Sequence, residues 1–236
     1  MQRYFGTKLS NNIISLNQDD FNHIKKVMRF KVGDNINVVF EGKVYLCELT
    51  NNLEEASIIK EVPYEDEGYT IRLFMPILPE EKTDLILQKC TELGVKEFIP
   101  VNMERCKYKI DESKKEKKVI RWKKICKEAS EQSERNYIPN VCEIINFKNI
   151  DSNANKLIIC SLEKENALTI KSTFKNIDKN DIINIVFGPE GGLSKNEEEL
   201  LIEKGYQRVN FGSWVLRTET APLYISSVIK YIYSGE

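Results

Sequence analysis

Apolar and polar residues alternate in short runs over the early part of the chain, and the period then lengthens. Ile36 to Phe40, Lys43 to Leu49 and Glu55 to Val62 are β-prone runs. The first two flank Glu41-Gly42, a dipeptide suited to a two-residue hairpin. Ahead of them, Phe21, Ile24, Val27 and Met28 recur at helical spacing, so Asp19 to Phe30 reads as a short helix. Val32-Gly33-Asp34 supplies a turn into the sheet. The pattern predicts a small β-barrel that ends near the acidic stretch Glu65-Asp66-Glu67-Gly68, with a first domain over 1–68 and a second over 69–236.

The second part alternates strands with helices. Thr70 to Met75, Phe98 to Val101, Lys156 to Leu162, Ile182 to Phe187 and Gln207 to Phe211 read as strands. Helices are predicted over Glu81 to Leu93, stopped by Gly94, and over Lys114 to Arg135. Two more follow, over Lys195 to Lys204 and Glu219 to Tyr233. Ser194 with Glu197 has the spacing of a capping box, and Thr218 is a candidate cap for the last helix. Strands alternating with helices predict an α/β domain with a mostly parallel sheet.

Composition narrows the chemistry. At 236 residues, with 30% charged and 41% hydrophobic positions, the chain has room for two cores. It shows no apolar run of membrane length and no signal peptide, which predicts a cytoplasmic protein. Its six cysteines form no CxxC pair and read as reduced thiols. His23 is the only histidine, which argues against a His-rich metal site and a Ser-His-Asp triad. The net charge of -1 is not that of a typical nucleic-acid binder, but it hides segregation. Arg105 and the Lys114 to Lys127 segment, with Lys117, Lys118, Arg121 and Lys124, are strongly basic, as is the early group Arg3, Lys25, Lys26 and Arg29.

Two loops at strand ends carry candidate ligand chemistry. Gly188-Pro189-Glu190-Gly191-Gly192 follows an apolar strand, where open parallel sheets bind ligands. The glycines let a ligand approach the backbone, and Gly191→Val is expected to obstruct it. Gly212 to Ala221, with Arg217 and Glu219 among small and apolar residues, follows the next strand. Neither GxGxxG nor GK[ST] is present, so NAD and ATP gain no support. Arg121, Glu128, Gln132 and Arg135 are spaced to share one helix face.

The ordered segments His23 to Arg29, Thr91 to Val95, Glu104-Arg105, Glu128 to Arg135, Gly188 to Gly192 and Leu216 to Ala221 resemble a known family. It is the bacterial small-subunit ribosomal RNA uracil-N3 methyltransferases, the RsmE family of the SPOUT superfamily. The resemblance implies an N-terminal PUA-like RNA-binding barrel and a C-terminal SPOUT domain with a trefoil knot. It also implies a homodimer that uses S-adenosylmethionine. The target would be 16S rRNA, at uridine 1498 of the assembled small subunit. The implied cofactor residues are Leu162 and Glu163, Gly188 through Leu193, and Phe211, Gly212, Val215, Leu216 and Thr218.

Uracil N3 must lose its proton before or during methylation, so the site needs a proton acceptor and a cationic or amide-rich stabiliser. Arg217 and Arg135 are candidates for uracil or phosphate contacts, and Glu190 or Glu219 for the base. No metal is required. A ribose 2′-O-methyltransferase of the same superfamily and a non-enzymatic RNA-binding factor are the competing readings. The final helix, with Ala221, Leu223, Ile225, Val228, Ile229 and Tyr233, carries enough apolar surface to suggest a dimer interface.

Overall fold

The computed structural model describes residues 2–64, 68–163, 166–175, 178 and 180–234. Glu65, Asp66 and Glu67, where the sequence suggests the boundary, lie outside the described residues. The chain forms two compact units, Met1–Asp66 with Ser130–Ile138, and Glu67–Ala129 with Pro139–Glu236.

The first unit is built on a six-stranded sheet. Its order is β1 (Arg3–Phe5), β4 (Asn35–Phe40), β5 (Lys43–Leu49), β6 (Glu55–Val62), β3 (Ile13–Ser15), β2 (Lys8–Ser10). β1 runs parallel to β4, and every other pair is antiparallel. The short link after β1 bonds toward both ends of this order. Gly6 N–H donates to the Val39 carbonyl and Thr7 N–H to the Ser15 carbonyl, so the sheet curls back on itself. A Cβ at Gly6 would lie 2.2 Å from Ile14 Cγ2, so only glycine lets the link pass this close. Tyr4, Ile14, Ile36 and Val38 fill the curl. Glu41 and Gly42 have φ of 48° and 78°, the left-handed pair that a tight hairpin requires.

Strands β1 to β3 are absent from the sequence reading because three residues apiece are too few for alternation to register. The helix expected over Asp19 to Phe30 also differs. It starts as α1 (Gln18–Asn22), capped by the Asn17 side chain, and widens into a π-helix over His23–Met28. Arg29, at φ 56°, ends it. The wider turn keeps Ile24 buried and leaves Lys25, Lys26, Val27, Met28 and Arg29 exposed. Arg3, expected on a surface patch with them, is buried instead. Its guanidinium donates to the Glu134 carbonyl and lies over the Tyr64 ring.

The second unit is an all-parallel sheet. Its order is β10 (Ile145–Asn146), β8 (Val95–Asn102), β7 (Thr70–Pro76), β13 (Ile182–Phe187), β11 (Lys156–Cys160), β14 (Gln207–Asn210), β12 (Leu168–Thr169), and β9 (Asn140–Val141) also pairs with β8. Helices α2 (Glu80–Glu92), α3 (Glu112–Gln132), α4 (Ile170–Thr173), α5 (Lys195–Glu203) and α6 (Thr220–Ser234) accompany it, α3 ending in the first unit. Covered on both faces, β13 is buried from Ile183 through Phe187, which explains why it is apolar on both faces apart from Asn184. Alternate residues divide between two cores. Leu73, Ile185 and Ile225 join one, and Phe74, Val186 and Leu201 join the other.

The Ser194–Glu197 capping box forms as the spacing predicts. Helix α3 stops at Gln132, short of the Arg135 expected from the sequence. Arg135 N–H returns to the Ser130 carbonyl and Glu134 N–H to the Glu131 carbonyl, with Glu134 at φ 57°. This is a Schellman ending on a non-glycine residue, which glycine-based punctuation does not reveal. Arg121 and Arg135 therefore do not share a helix face. The six cysteines are free thiols. Among the described residues, no helix is long and apolar enough to cross a membrane.

A polar row crosses the sheet between the cores. Arg72 on β7 stands in register with Glu97 on β8 and Asn184 on β13. It donates to Glu97 at 2.5 Å, to both Asp151 oxygens at 3.0 Å and to Asn184 at 3.3 Å. Burial works against both acids, but hydrogen bonds led by Arg72 hold Glu97 and Asp151 below the usual carboxylate range. The row is therefore intact above that range and is lost as pH falls through the folded-state midpoints. Arg72→Met is expected to destabilise the protein by about 2–4 kcal/mol in urea unfolding at pH 7. It should also lose less stability than the wild type between neutral pH and about pH 3. Parallel stability–pH curves would contradict this account.

Candidate functional site

A cavity of about 360 Å³ opens beyond the carboxyl ends of β11, β13 and β14, within the size range of small-molecule sites. Three loops wall it. Ser161 and Leu162 come from the loop after β11, and Gly188, Pro189, Glu190 and Gly192 from the loop after β13. Phe211, Gly212, Val215, Leu216, Arg217, Thr218 and Glu219 come from the loop after β14. The arrangement follows from the sheet, since β13 is flanked by β7 and β11, and β11 by β14.

The β13 loop turns without room for a side chain. A Cβ on Gly188 would sit 2.7 Å from the Leu193 nitrogen and 2.8 Å from the Gly192 carbonyl carbon, both backbone atoms. Gly192 has φ 67°. The Thr218 hydroxyl, a candidate helix cap in the sequence, donates to the Gly188 carbonyl at 2.6 Å and ties the β14 loop to the β13 loop. Arg105 Nη1 donates to the Gly191 and Leu193 carbonyls at 2.8 and 3.1 Å. Arg105, read in the sequence with the RNA-facing bases, therefore fastens this loop.

Charge gathers on one wall. Lys82, in the first turn of α2, donates to Glu190 at 2.6 Å and lies 3.5 Å from Glu219. That hydrogen bond holds the Glu190 carboxyl below its usual range and raises the Lys82 ammonium above its own. Arg217 reaches within 4.0 Å of Glu219 and is otherwise exposed.

The other residues singled out in the sequence are dispersed. Glu163, Gly191 and Leu193 line an adjoining polar cleft together with Arg105. Arg135 belongs to the first unit, where it is buried with its guanidinium 4.1 Å from the Tyr137 ring. On α3, Lys118 pairs with Glu80 and Arg121 forms a two-pronged pair with Asp84, both acids on α2. Lys117 and Lys124 are exposed. Sequence reasoning missed Lys82 and Trp214 in the cavity wall. Lys82 carries no local signal in an ordinary helix start, whereas Trp214, 87% exposed, sits inside a segment already singled out. Among the described residues, no group of three or more His, Cys, Asp or Glu side chains gathers as a metal site.

Gly188→Ala is expected to force the β13 loop apart and weaken S-adenosylmethionine binding by about tenfold or more in calorimetry, with the circular dichroism spectrum unchanged. A Cβ at Gly191 would meet only the Arg105 side chain, at 3.4 Å, so an alanine there leaves the backbone of the loop undisturbed. Gly191→Ala should bind more tightly than Gly188→Ala, and the reverse order would refute this loop geometry.

Residues 65–230 match the model of an RNA methyltransferase domain, and residues 16–60 that of an RNA methyltransferase PUA domain. A Bacillus subtilis protein named ribosomal RNA small subunit methyltransferase E is 35% identical, over 98% of this chain and 96% of its own length. An Aquifex aeolicus protein of the same name is 29% identical, over 97% of this chain and 99% of its own. The crystal structure of a ribosomal RNA small subunit methyltransferase E from Neisseria gonorrhoeae, bound to S-adenosyl methionine, superposes with a TM-score of 0.86 at 31% identity, covering 98% of each chain. The chain belongs to the RNA methyltransferase family, alongside the proteins named ribosomal RNA small subunit methyltransferase E.

Proposed function

We propose that the protein transfers a methyl group from S-adenosylmethionine to uracil N3 in 16S rRNA of the small ribosomal subunit, at uridine 1498. The observation that carries the reading is the three-loop cavity, which combines apolar walls with two carboxylates and an ammonium. These residues suit the cofactor. Leu162, Val215, Leu216 and Ala221 offer an apolar bed for an adenine, and the carboxylates offer a favourable field for a cationic ligand. Leu162, Gly188 to Gly192, and Phe211 to Thr218 would hold it. When bound, S-adenosylmethionine supplies an electrophilic sulfonium methyl group.

The protein's own groups have the remaining work. N3 is hidden in a base pair, so the uracil must be presented unpaired or flipped. A carboxylate of the cavity wall takes the N3 proton. Arg217, exposed at the rim, is placed to meet the uracil carbonyls or an adjacent phosphate. In the first unit, read as the PUA-like RNA-binding domain over 1–68, the exposed Lys25, Lys26 and Arg29 are the phosphate contacts this reading favours. Lys117 and Lys124 are secondary ones.

The same reading includes a trefoil knot in the second domain, a homodimer and a cytoplasmic location. For the dimer, Ala221, Ile225 and Ile229 are buried within the unit and Leu223, Val228 and Tyr233 pack against its core, so the sequence-based argument from them does not stand. Tyr224, Tyr231 and Ile232 are the large apolar side chains that α6 exposes. Light scattering at micromolar concentration should give twice the chain mass.

The direct test is the RNA of cells that lack the protein. The N3 methyl group should vanish from one uridine of 16S rRNA and return on complementation, as read by mass spectrometry. A lost ribose methyl group instead would point to 2′-O-methylation. Changing Lys25, Lys26 and Arg29 together to Gln should weaken small-subunit binding and flatten its logarithmic salt dependence by about 2. An unchanged slope would place the phosphate contacts elsewhere.

A further inference from the structure

Lys82, Glu190 and Glu219 meet in the cavity wall from three different segments: the start of α2, the loop after β13, and the turn before α6. The two acids are not held alike. Glu190 accepts a hydrogen bond from Lys82 at 2.6 Å, and its side chain is 38% exposed. Glu219 is the drier one, at 14%, and lies 3.5 Å from the same ammonium. Glu219 Oε2 is buried and meets Lys82 at the 3.5 Å of a loose ion pair, outside hydrogen-bond geometry, and Oε1 has Arg217 no closer than 4.0 Å. Buried carboxylate oxygens rarely go without donors.

We propose that Lys82 is a positioning residue that fixes Glu190 as its ion-pair partner and leaves Glu219 as the proton acceptor for uracil N3. The inference rests on the uracil-N3 reading above. A carboxylate already receiving a short charge-assisted hydrogen bond is a poor base, because protonation would break that bond. A drier carboxylate at longer range gives up less by taking a proton. The N3–H bond breaks toward Glu219, and N3 keeps the electron pair. That pair forms the new bond to the methyl carbon as the carbon–sulfur bond breaks and the sulfonium becomes a neutral thioether. Lys82 stays an ammonium throughout, paired with Glu190.

The charged groups facing Glu219 are Lys82 from α2, Glu190 from the β13 loop and Arg217 from its own loop. Lys107 and Cys106 adjoin Glu190. Without Lys82, two carboxylates would share the wall with no cation between them, and one would protonate at higher pH.

The test reads protonation without any reaction. Protein labelled with carbon-13 at the glutamate carboxyls is titrated by NMR without RNA, and Glu190→Gln and Glu219→Gln assign the two signals. Lys82→Met is expected to raise one midpoint by about one unit or more, while Lys82→Arg keeps both near the wild type. Lys82→Gln serves if the Met variant does not fold. In single-turnover methylation of small subunits, Glu219→Gln should slow transfer about 100-fold or more and abolish the acid limb of the pH profile. Transfer is read at saturating S-adenosylmethionine, so a change in cofactor affinity does not register, and Glu190→Gln should keep the limb. Unmoved midpoints on removing the ammonium would overturn the role of Lys82. An acid limb that survives in Glu219→Gln and disappears in Glu190→Gln would reverse the assignment. If the wild type does not methylate N3, the functional reading fails, and the titration alone still decides whether Lys82 sets the two acids apart.

Discussion

The Thr218 hydroxyl donates to the Gly188 carbonyl across 2.6 Å, and the loop it grips can turn back this tightly only because position 188 carries no side chain. At Gly188 a Cβ would be driven into the backbone of Gly192 and Leu193, so the loop must fold tightly onto itself. Once it does, its carbonyls face outward and need donors. Thr218 satisfies one from the β14 loop, and Arg105 satisfies two more from the segment after β8. The cavity is the space left between loops tied in this way.

Arginine has a consistent use in this molecule. Arg72 joins β7 to β8 and β13, Arg105 fastens the β13 loop, Arg121 clips α3 to α2, and Arg3 ties β1 to the segment after α3. Each uses a planar, always-charged fork whose donors match carboxylates or carbonyls in fixed directions. A basic count in the sequence therefore overstates the cationic surface available to RNA. The charges left facing solvent are more often lysines, such as Lys25, Lys26 and Lys117. A net charge of -1 is compatible with RNA recognition if the contacts are local, because exposed charges beyond a Debye length of about 10 Å are largely screened.

The cavity wall shows how one fold supplies opposite charges to one place. Parallel strands send their loops to the same side, so side chains far apart in sequence converge there. Lys82 and Glu219 are separated by most of the second unit in sequence and lie 3.5 Å apart in space. The polar row at Arg72 stiffens the strands from beneath, and the cavity loops leave from β13 and its neighbours.

The sequence by itself determined the elements whose cause is local. Alternation marked β4, β5 and β6, a mostly apolar run marked β13, Ser194 and Glu197 marked the start of α5, and glycine-rich segments marked two loops of the cavity. The ordered motifs were also enough to identify the family. Features that depend on distant partners were not legible. Strands β1 to β3 are held by pairing rather than pattern, the π-helix depends on what Ile24 buries against, and α3 ends on a left-handed glutamate. Arg3 and Arg121 look like surface bases until their partners arrive, and Lys82 looks like an ordinary helix-start lysine until two carboxylates from other loops meet it. Propensity and capping act over a few neighbouring residues, whereas burial and ion pairing act only once the tertiary structure has brought the partners together.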